Sequence, residues 1–342
     1  MITLSAGKLW GMRRMADENG LFKMTAVDQR PPIKGPIAAH YGTDTAPFDD
    51  VAKFKAMLVE TLQAGSTAML LDPHYAIPVG LKHLSPTKGL IVTLEDSIFE
   101  DTGMGRRSST IDDWDVGKIK RAGGDAVKVL AWYRPDADPE INQYQKDWTK
   151  RIGEACAKYD IPFLFELLVY PLKTDAEQTK DYIEMNTKRA DDVLKSVEEF
   201  AHSDYGIDVF KLESPVPAKD VERVDNVQAL FDEMGQLAGR PWVMLSAGAG
   251  KPEFKQILAH AYAAGASGFL AGRAIWLDAF NAFPDWVAIE AGLRNESAAY
   301  MKEISALTDA QATRWDSHEV YGAGGAKFSP TDASFRHDYQ GI

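Results

Sequence analysis

Eight short apolar runs, separated by amphipathic stretches, constrain this chain more than any other feature. Strands are expected over Phe22–Val27, Ala68–Leu71, Leu90–Thr93, Ala126–Leu130, Phe163–Leu167, Val209–Leu212, Trp242–Leu245 and Gly268–Ala271. Helical patterns fall between them, at Val51–Ala64, Asp115–Ala122, Gln143–Tyr159, Asn186–Phe200, Val224–Leu237 and Pro252–Ala264. Strands that are apolar nearly throughout belong to a parallel sheet covered on both faces. Eight of them in 342 residues point to an α/β fold, a (β/α)8 barrel, as one domain over residues 1–342. A doubly wound sheet is the competing architecture. It would carry a glycine-rich first turn, where this chain has Asp28-Gln29-Arg30-Pro31-Pro32. Pro31–Asp50 and Ser97–Asp113 read as long loops after the first and third strands. Ile275–Thr313 reads as helical, and 315–342 as an irregular tail.

Two lysines interrupt the apolar runs: Lys128 in Asp125-Ala126-Val127-Lys128-Val129-Leu130, and Lys211 in Asp208-Val209-Phe210-Lys211-Leu212-Glu213. Lysine is depleted from strands and rarely buried without a partner. A desolvated amine, or one beside a second cation, can serve as a nucleophile toward a carbonyl. Two carboxylates share the same kind of setting. Asp28 ends the first strand, and Glu166 lies in Phe163-Leu164-Phe165-Glu166-Leu167-Leu168. A closed barrel brings strand ends to one shared interior, so the four groups are expected to converge. Opposite charges then satisfy one another. On these residues alone, either lysine qualifies as the nucleophile. A lone strand lysine is more often an edge or snorkelling residue, and a lone carboxylate a salt-bridge partner; the combination is what favours chemistry.

The last two strands add a separate signal. Ser246-Ala247-Gly248-Ala249-Gly250-Lys251 follows the seventh, and Gly272-Arg273 ends the eighth. Loops at these positions commonly bind phosphate in such barrels, where glycine admits backbone N–H groups and arginine binds the anion in a fork. Two ordinary turns and a surface arginine are the bland alternative.

Together, Asp125-Ala126-Val127-Lys128, Asp160-Ile161-Pro162-Phe163-Leu164-Phe165-Glu166, Asp208-Val209-Phe210-Lys211-Leu212-Glu213, Leu245-Ser246-Ala247-Gly248 and Gly272-Arg273-Ala274-Ile275-Trp276 resemble the class I tagatose 1,6-bisphosphate aldolase family, from about Val27 to Ala279. The resemblance implies cleavage of a phosphorylated ketose, a ketohexose 1,6-bisphosphate, to dihydroxyacetone phosphate and glyceraldehyde 3-phosphate, with no metal or other cofactor. It implies Lys211 as the Schiff-base amine and Glu166 as the main acid/base. Asp28 and Lys128 would position substrate hydroxyls and assist proton transfer. Ser246, Gly248, Gly272 and Arg273 would hold the ketone-side phosphate. Gln29 and Arg30 adjoin Asp28 and are expected to line the site. The chain beyond about Leu293 departs from the family pattern, as does Arg134 in Trp132-Tyr133-Arg134-Pro135. Related aldolases act on 6-deoxy-6-sulfofructose 1-phosphate. Arg134, Arg106 or Arg107 could therefore meet a phosphate or a sulfonate at the far end of the substrate, although at least two of the three are expected to be surface residues.

Other classes fit less well. His40, His74, His83, His202 and His260 lack metal-ligand spacing. A non-catalytic sugar-phosphate sensor would have no need of both lysines and Glu166. The single cysteine, Cys156, excludes an intramolecular disulfide and sits in a helical pattern as a packed thiol. A net charge of −12 argues against nucleic acid and anionic membrane as partners. No apolar run reaches membrane-spanning length. A cytoplasmic homo-oligomer is expected.

Overall fold

The computed structural model describes residues 2–175, 185, 187–329 and 331–339. The eight expected strands are present and close into a parallel barrel: Phe22–Ala26, Ala68–Leu71, Gly89–Thr93, Ala126–Trp132, Phe163–Leu168, Val209–Leu212, Trp242–Met244 and Gly268–Ala271. The first strand pairs with both the second and the eighth, leaving no free edge.

Side chains alternate in and out along each strand, and this period of two sorts the core. In the fourth strand Val127, Val129 and Ala131 face the surrounding helices, in one cluster with Phe163, Phe165 and Leu167 of the fifth. Ala126 has the opposite parity and joins Met24, Ala68, Leu70, Ile91, Leu164, Val209, Val243 and Leu270 inside the barrel. Leu130, Trp132, Leu168, Tyr170 and Leu245 form a third apolar cluster at the other end of the interior. Lys128 and Glu166 have interior parity and fall between these two layers. An apolar floor and an apolar rim therefore bracket one charged storey.

Helices fill the connections: Phe48–Leu62, Ala76–Gly80, Val116–Arg121, Pro139–Lys158, Ala190–Phe200, Val227–Ala238 and Lys251–Ala263. The expected helix from Asn186 starts four residues later in the described structure, and Asn186 itself lies outside the described residues. Pro31–Asp50 is not the loop its prolines suggest. Pro31–Tyr41 is a helix that starts on two prolines and stops at Gly42, whose φ of 65° is left-handed. Proline's fixed φ suits a first helical turn, and glycine suits the αL cap. Within Ser97–Asp113, Glu100–Asp101 and Arg106–Arg107 pair as a small antiparallel ribbon. The eighth strand leads into Arg273–Phe280, Trp286–Gly292, a π-helical turn over Leu293–Ser297, and Ala298–Gln311.

An N-terminal helix, Ala6–Met15, and the C-terminal tail close the bottom of the barrel. Met12, Met15, Trp315 and Tyr321 are buried against the interior floor. Trp315 donates its backbone N–H to the Gly20 carbonyl at 3.0 Å, and Leu4 bridges Phe328 in parallel fashion. The described tail is irregular, as expected, with short turns at Trp315–Ser317 and Glu319–Tyr321 and one turn of helix at Phe335–Asp338. Pro330 and residues 340–342 lie outside the described residues. Replacing Trp315 by Ala should cost about 3–5 kcal/mol of stability through the cavity it leaves. Urea unfolding measures this, and kcat should stay within about twofold because the lysines sit at the opposite end of the interior.

Candidate active site

Each charged residue of the interior has a local reason for its place. Lys128 occupies an inward position in the longest strand, directly in register with Thr93 and Leu164. Glu166 is in register with Lys211 on the neighbouring strand. Asp28 lies two residues beyond the end of the first strand. The four residues named from the sequence do converge. Lys128 Nζ is 2.9 Å from Asp28 Oδ2 and 2.8 Å from Glu166 Oε2. Glu166 Oε2 is also 2.9 Å from Lys211 Nζ. Thr93 Oγ1 donates to Asp28 Oδ2 at 3.3 Å.

A fifth charged member was not read from the sequence. Glu95 Oε1 lies 2.5 Å from Lys128 Nζ, and its side chain is 1% exposed. The signal was available: Ile91, Thr93 and Glu95 continue the inward parity of the third strand past its last paired residue. Glu95 Oε2 is buried and has no hydrogen-bond partner among the described residues. Burial raises the Glu95 carboxyl from 4.5 to about 7, against the pull of Lys128 and with the repulsion of Asp28. Asp28 goes the other way. Burial opposes its ionisation, but Lys128 and then Lys211 outweigh that and hold the carboxyl well below the usual range.

A cavity opens over this cluster, lined by Asp28, Gln29, Lys128, Glu166 and Lys211 on one side and Ser246, Ala247, Gly272 and Arg273 on the other. The turn after the seventh strand is tightly bent: Ala247 has φ 46° and Gly248 φ 87°. A Cβ on Gly248 would stand 3.4 Å from the guanidinium carbon of Arg273, so the two loops touch here. At Gly272 a Cβ would meet the Gln29 amide at 2.7 Å, which explains glycine at the end of the eighth strand.

The remaining arginines sit elsewhere. Arg30 is buried without lining the cavity and donates through Nη2 to the Glu95 carbonyl at 3.1 Å. Arg134 also lies off the cavity lining. Its guanidinium is paired with Asp136 and Asp175, each at 2.8 Å, and donates to the Tyr170 carbonyl. The arginine that looked available for a far-end anion is thus already committed to acidic partners. Arg106 is buried, its guanidinium carbon 4.2 Å from the Phe99 ring centre, 4.7 Å from Trp132 and 5.0 Å from Tyr170. Arg107 is half-buried and 3.8 Å from Glu100. His74 lies outside the cavity lining, its backbone N–H bonded to Asp72 at 3.0 Å. Cys156 is fully buried.

Two further buried pairs escaped sequence reading. Lys55, on the Phe48–Leu62 helix, pairs with Asp72 and donates to the Val27 carbonyl at 2.8 Å, tying that helix to the ends of the first two strands. Lys188 pairs with Glu213 at 3.0 Å, and Glu213 also accepts from the Val169 N–H at 2.7 Å. Among the described residues no group of three or more His, Cys, Asp or Glu side chains is arranged to hold a metal ion, and no helix is long and apolar enough to cross a membrane.

The fold and site define an enzyme barrel with an amine–carboxylate centre at the C-terminal ends of its strands. Residues 22–278 match the family model described as DeoC/LacD family aldolase, and the chain belongs to that family. It is an aldolase, a lyase of carbon–carbon bonds. It is 31% identical over 327 residues to tagatose 1,6-diphosphate aldolase 1 of Streptococcus mutans, covering 92% of this chain and 99% of that one. It is 32% identical over 328 residues to tagatose 1,6-diphosphate aldolase of Listeria monocytogenes, covering 92% and 95%. In fold it resembles fructose-bisphosphate aldolase from Plasmodium falciparum, with a TM-score of 0.64, 11% identity, and 91% and 98% of the two chains covered. An archaeal fructose 1,6-bisphosphate aldolase superposes with a TM-score of 0.56 at 15% identity, covering 88% and 98%.

The raised Glu95 carboxyl gives the fold a pH signature. An unfolded chain gives up this proton near pH 4.5, the folded one near 7, so stability falls as pH rises between those values. Glu95→Gln removes that loss. Between pH 5 and pH 8 the variant should gain about 2–3 kcal/mol relative to the parent protein, read from urea unfolding at both values.

Proposed function

We propose that this aldolase works through a Schiff base on Lys211 and cleaves a ketohexose 1,6-bisphosphate, with tagatose 1,6-bisphosphate as the leading substrate. One observation carries the reading: Glu166 Oε2 stands between the two ammonium groups, 2.9 Å from Lys211 and 2.8 Å from Lys128. A carboxylate in that position can take a proton from Lys211 and remain oriented by Lys128.

The chemistry runs from this geometry. The Lys211 amine attacks the ketone carbon, and the carbonyl oxygen becomes a hydroxyl. Glu166 protonates that hydroxyl, water leaves, and a protonated imine remains. The imine draws electrons from the adjacent C–C bond as the C4 hydroxyl loses its proton, releasing the aldehyde and leaving an enamine. Reprotonation and hydrolysis free the ketone and the lysine. Asp28, held as a carboxylate by Lys128, is placed to accept from a substrate hydroxyl. Lys128 stays the orienting cation. The names of the relatives support tagatose bisphosphate as substrate. Ser246, Gly272 and Arg273 line the cavity beside Lys211, and Gly248, off the lining, abuts the Arg273 guanidinium; together they suit the ketone-side phosphate. Gln29 lines the same cavity.

Borohydride in the presence of dihydroxyacetone phosphate should fix a covalent adduct on Lys211, and Lys211→Ala should abolish both adduct and turnover. Adduct formation at another lysine in that variant would move the nucleophile. A turnover panel of ketose 1-phosphates bearing phosphate, sulfonate or hydroxyl at C6 identifies the far-end group; a preference for sulfonate would replace the bisphosphate by 6-deoxy-6-sulfofructose 1-phosphate. Arg273→Ala removes a charge-assisted contact worth about 1.5–3 kcal/mol, so KM should rise about 10- to 100-fold. An unchanged KM would take Arg273 out of the phosphate site.

A further inference from the structure

Glu95 has no part in the chemistry above, yet it makes the shortest of the contacts to Lys128. It does not line the cavity. A buried carboxyl that neither touches the substrate nor completes its own hydrogen bonds is an expensive way to hold one lysine, because Asp28 and Glu166 already neutralise it. Its surroundings are specific. Lys128 faces it from the fourth strand, Asp28 shares that lysine from the end of the first, and Arg30 grips its backbone carbonyl. Glu166 from the fifth strand shares the same ammonium.

These groups form an unbroken line: Glu95 Oε1 to Lys128 Nζ at 2.5 Å, Lys128 Nζ to Glu166 Oε2 at 2.8 Å, and Glu166 Oε2 to Lys211 Nζ at 2.9 Å. We propose that Glu95 is the proton reservoir of the site, handing a proton to Glu166 and taking it back through the ammonium of Lys128. In the forward shift Lys128 gives a proton to Glu166 and regains one from the Glu95 carboxyl. Glu95 ends as carboxylate, Glu166 as acid, and Lys128 as ammonium throughout. No electron pair leaves the cluster and no co-reactant is needed. The device answers a real need: Glu166 must be a base toward Lys211 and then an acid toward the departing hydroxyl, while bound substrate fills the cavity above it. A carboxyl held near neutrality by burial, with one oxygen unpartnered, can carry its proton on Oε2 and bring it to Lys128 by rotation of the carboxyl group. Glu95 acts through Lys128 and is therefore a positioning residue, one that sets where the proton resides.

This inference rests on the Schiff-base reading, and one experiment separates the two. The full-length protein is mixed with dihydroxyacetone phosphate, quenched with borohydride at short times, and the rate of adduct formation is followed from pH 5.5 to 8.5. In the parent protein the rate should fall as pH rises through about 7, where Glu95 loses its proton. Glu95→Gln keeps the shape and an acceptor for Lys128 but exchanges no proton. Its rate at pH 6 should drop about 10- to 100-fold, and the step near pH 7 should vanish. The final amount of adduct and the KM should stay unchanged. Glu95→Asp keeps a titratable carboxyl and should retain the step at a displaced midpoint, which a purely structural contact would not produce. A parent-like profile in Glu95→Gln overturns the proposal, as does a step missing from a folded Glu95→Asp. If Glu95→Gln does not fold, the Glu95→Asp profile decides alone. Absence of any adduct in the parent protein removes the Schiff-base reading and this inference with it.

Discussion

One ammonium group, Lys128, organises the interior of this barrel. Three carboxyl groups, two just past the ends of the first and third strands and one within the fifth, converge on it at 2.5 to 2.9 Å. Without a shared cation they could not all occupy one dry space, because like charges at such distances push each other toward the neutral form. With it, they take opposite roles. Asp28 is held ionised well below its usual range, and Glu95 is held near neutrality at about 7. The difference comes from place. Asp28 has both lysines acting on it, whereas burial dominates at Glu95. Lys128 draws both carboxyls toward the ionised form; Lys211 acting on Asp28 and burial at Glu95 separate their titrations.

The scaffold makes that cluster tolerable. The charged storey lies between an apolar floor, from Met24 and Leu70 to Leu164 and Leu270, and an apolar rim of Leu130, Trp132, Leu168 and Leu245. Low dielectric on both sides strengthens each pairing and raises the cost of an unpaired charge. The floor is completed from outside the barrel repeat, by Met12 and Met15 of the N-terminal helix and by Trp315 and Tyr321 of the tail. The tail thus serves as a plug at the end remote from the charged cluster. Other buried pairs, Lys55 with Asp72 and Lys188 with Glu213, pin the connections behind the strand ends that carry the site.

Most of the architecture was legible because its signal is periodic. Eight apolar runs with helical spacing between them allow few other folds, and the strand boundaries shift by at most a few residues. One misread segment has a plain cause. Pro31–Tyr41 looked like a loop because two prolines discourage a helix in its interior, yet at a first turn they start one. Lys128, Glu166 and Lys211 were legible because a charge inside an apolar run is anomalous on sight. Glu95 was not, since it stands beside Asp96 just past the run and looks like the polar start of a loop. Arg134 misled in the other direction. Its position after the fourth strand suggested anion binding, but Asp136, only two residues on, and Asp175 claim its guanidinium.

The sequence by itself determined the barrel, the strand-borne lysines and carboxylates, and the glycine–arginine turns, because these depend on pattern and local chemistry. Tertiary structure alone decided which charges meet. Whether Glu95 or Arg30 reaches the cavity, which carboxylate bridges the two lysines, and which arginines are already paired depend on register between strands far apart in the chain. Glu166 and Lys211 are 45 residues apart and become direct neighbours through one parallel pairing. That pairing gives two lysines of equal standing in the sequence different surroundings: Lys211 meets Glu166, whereas Lys128 is held by Asp28, Glu95 and Glu166.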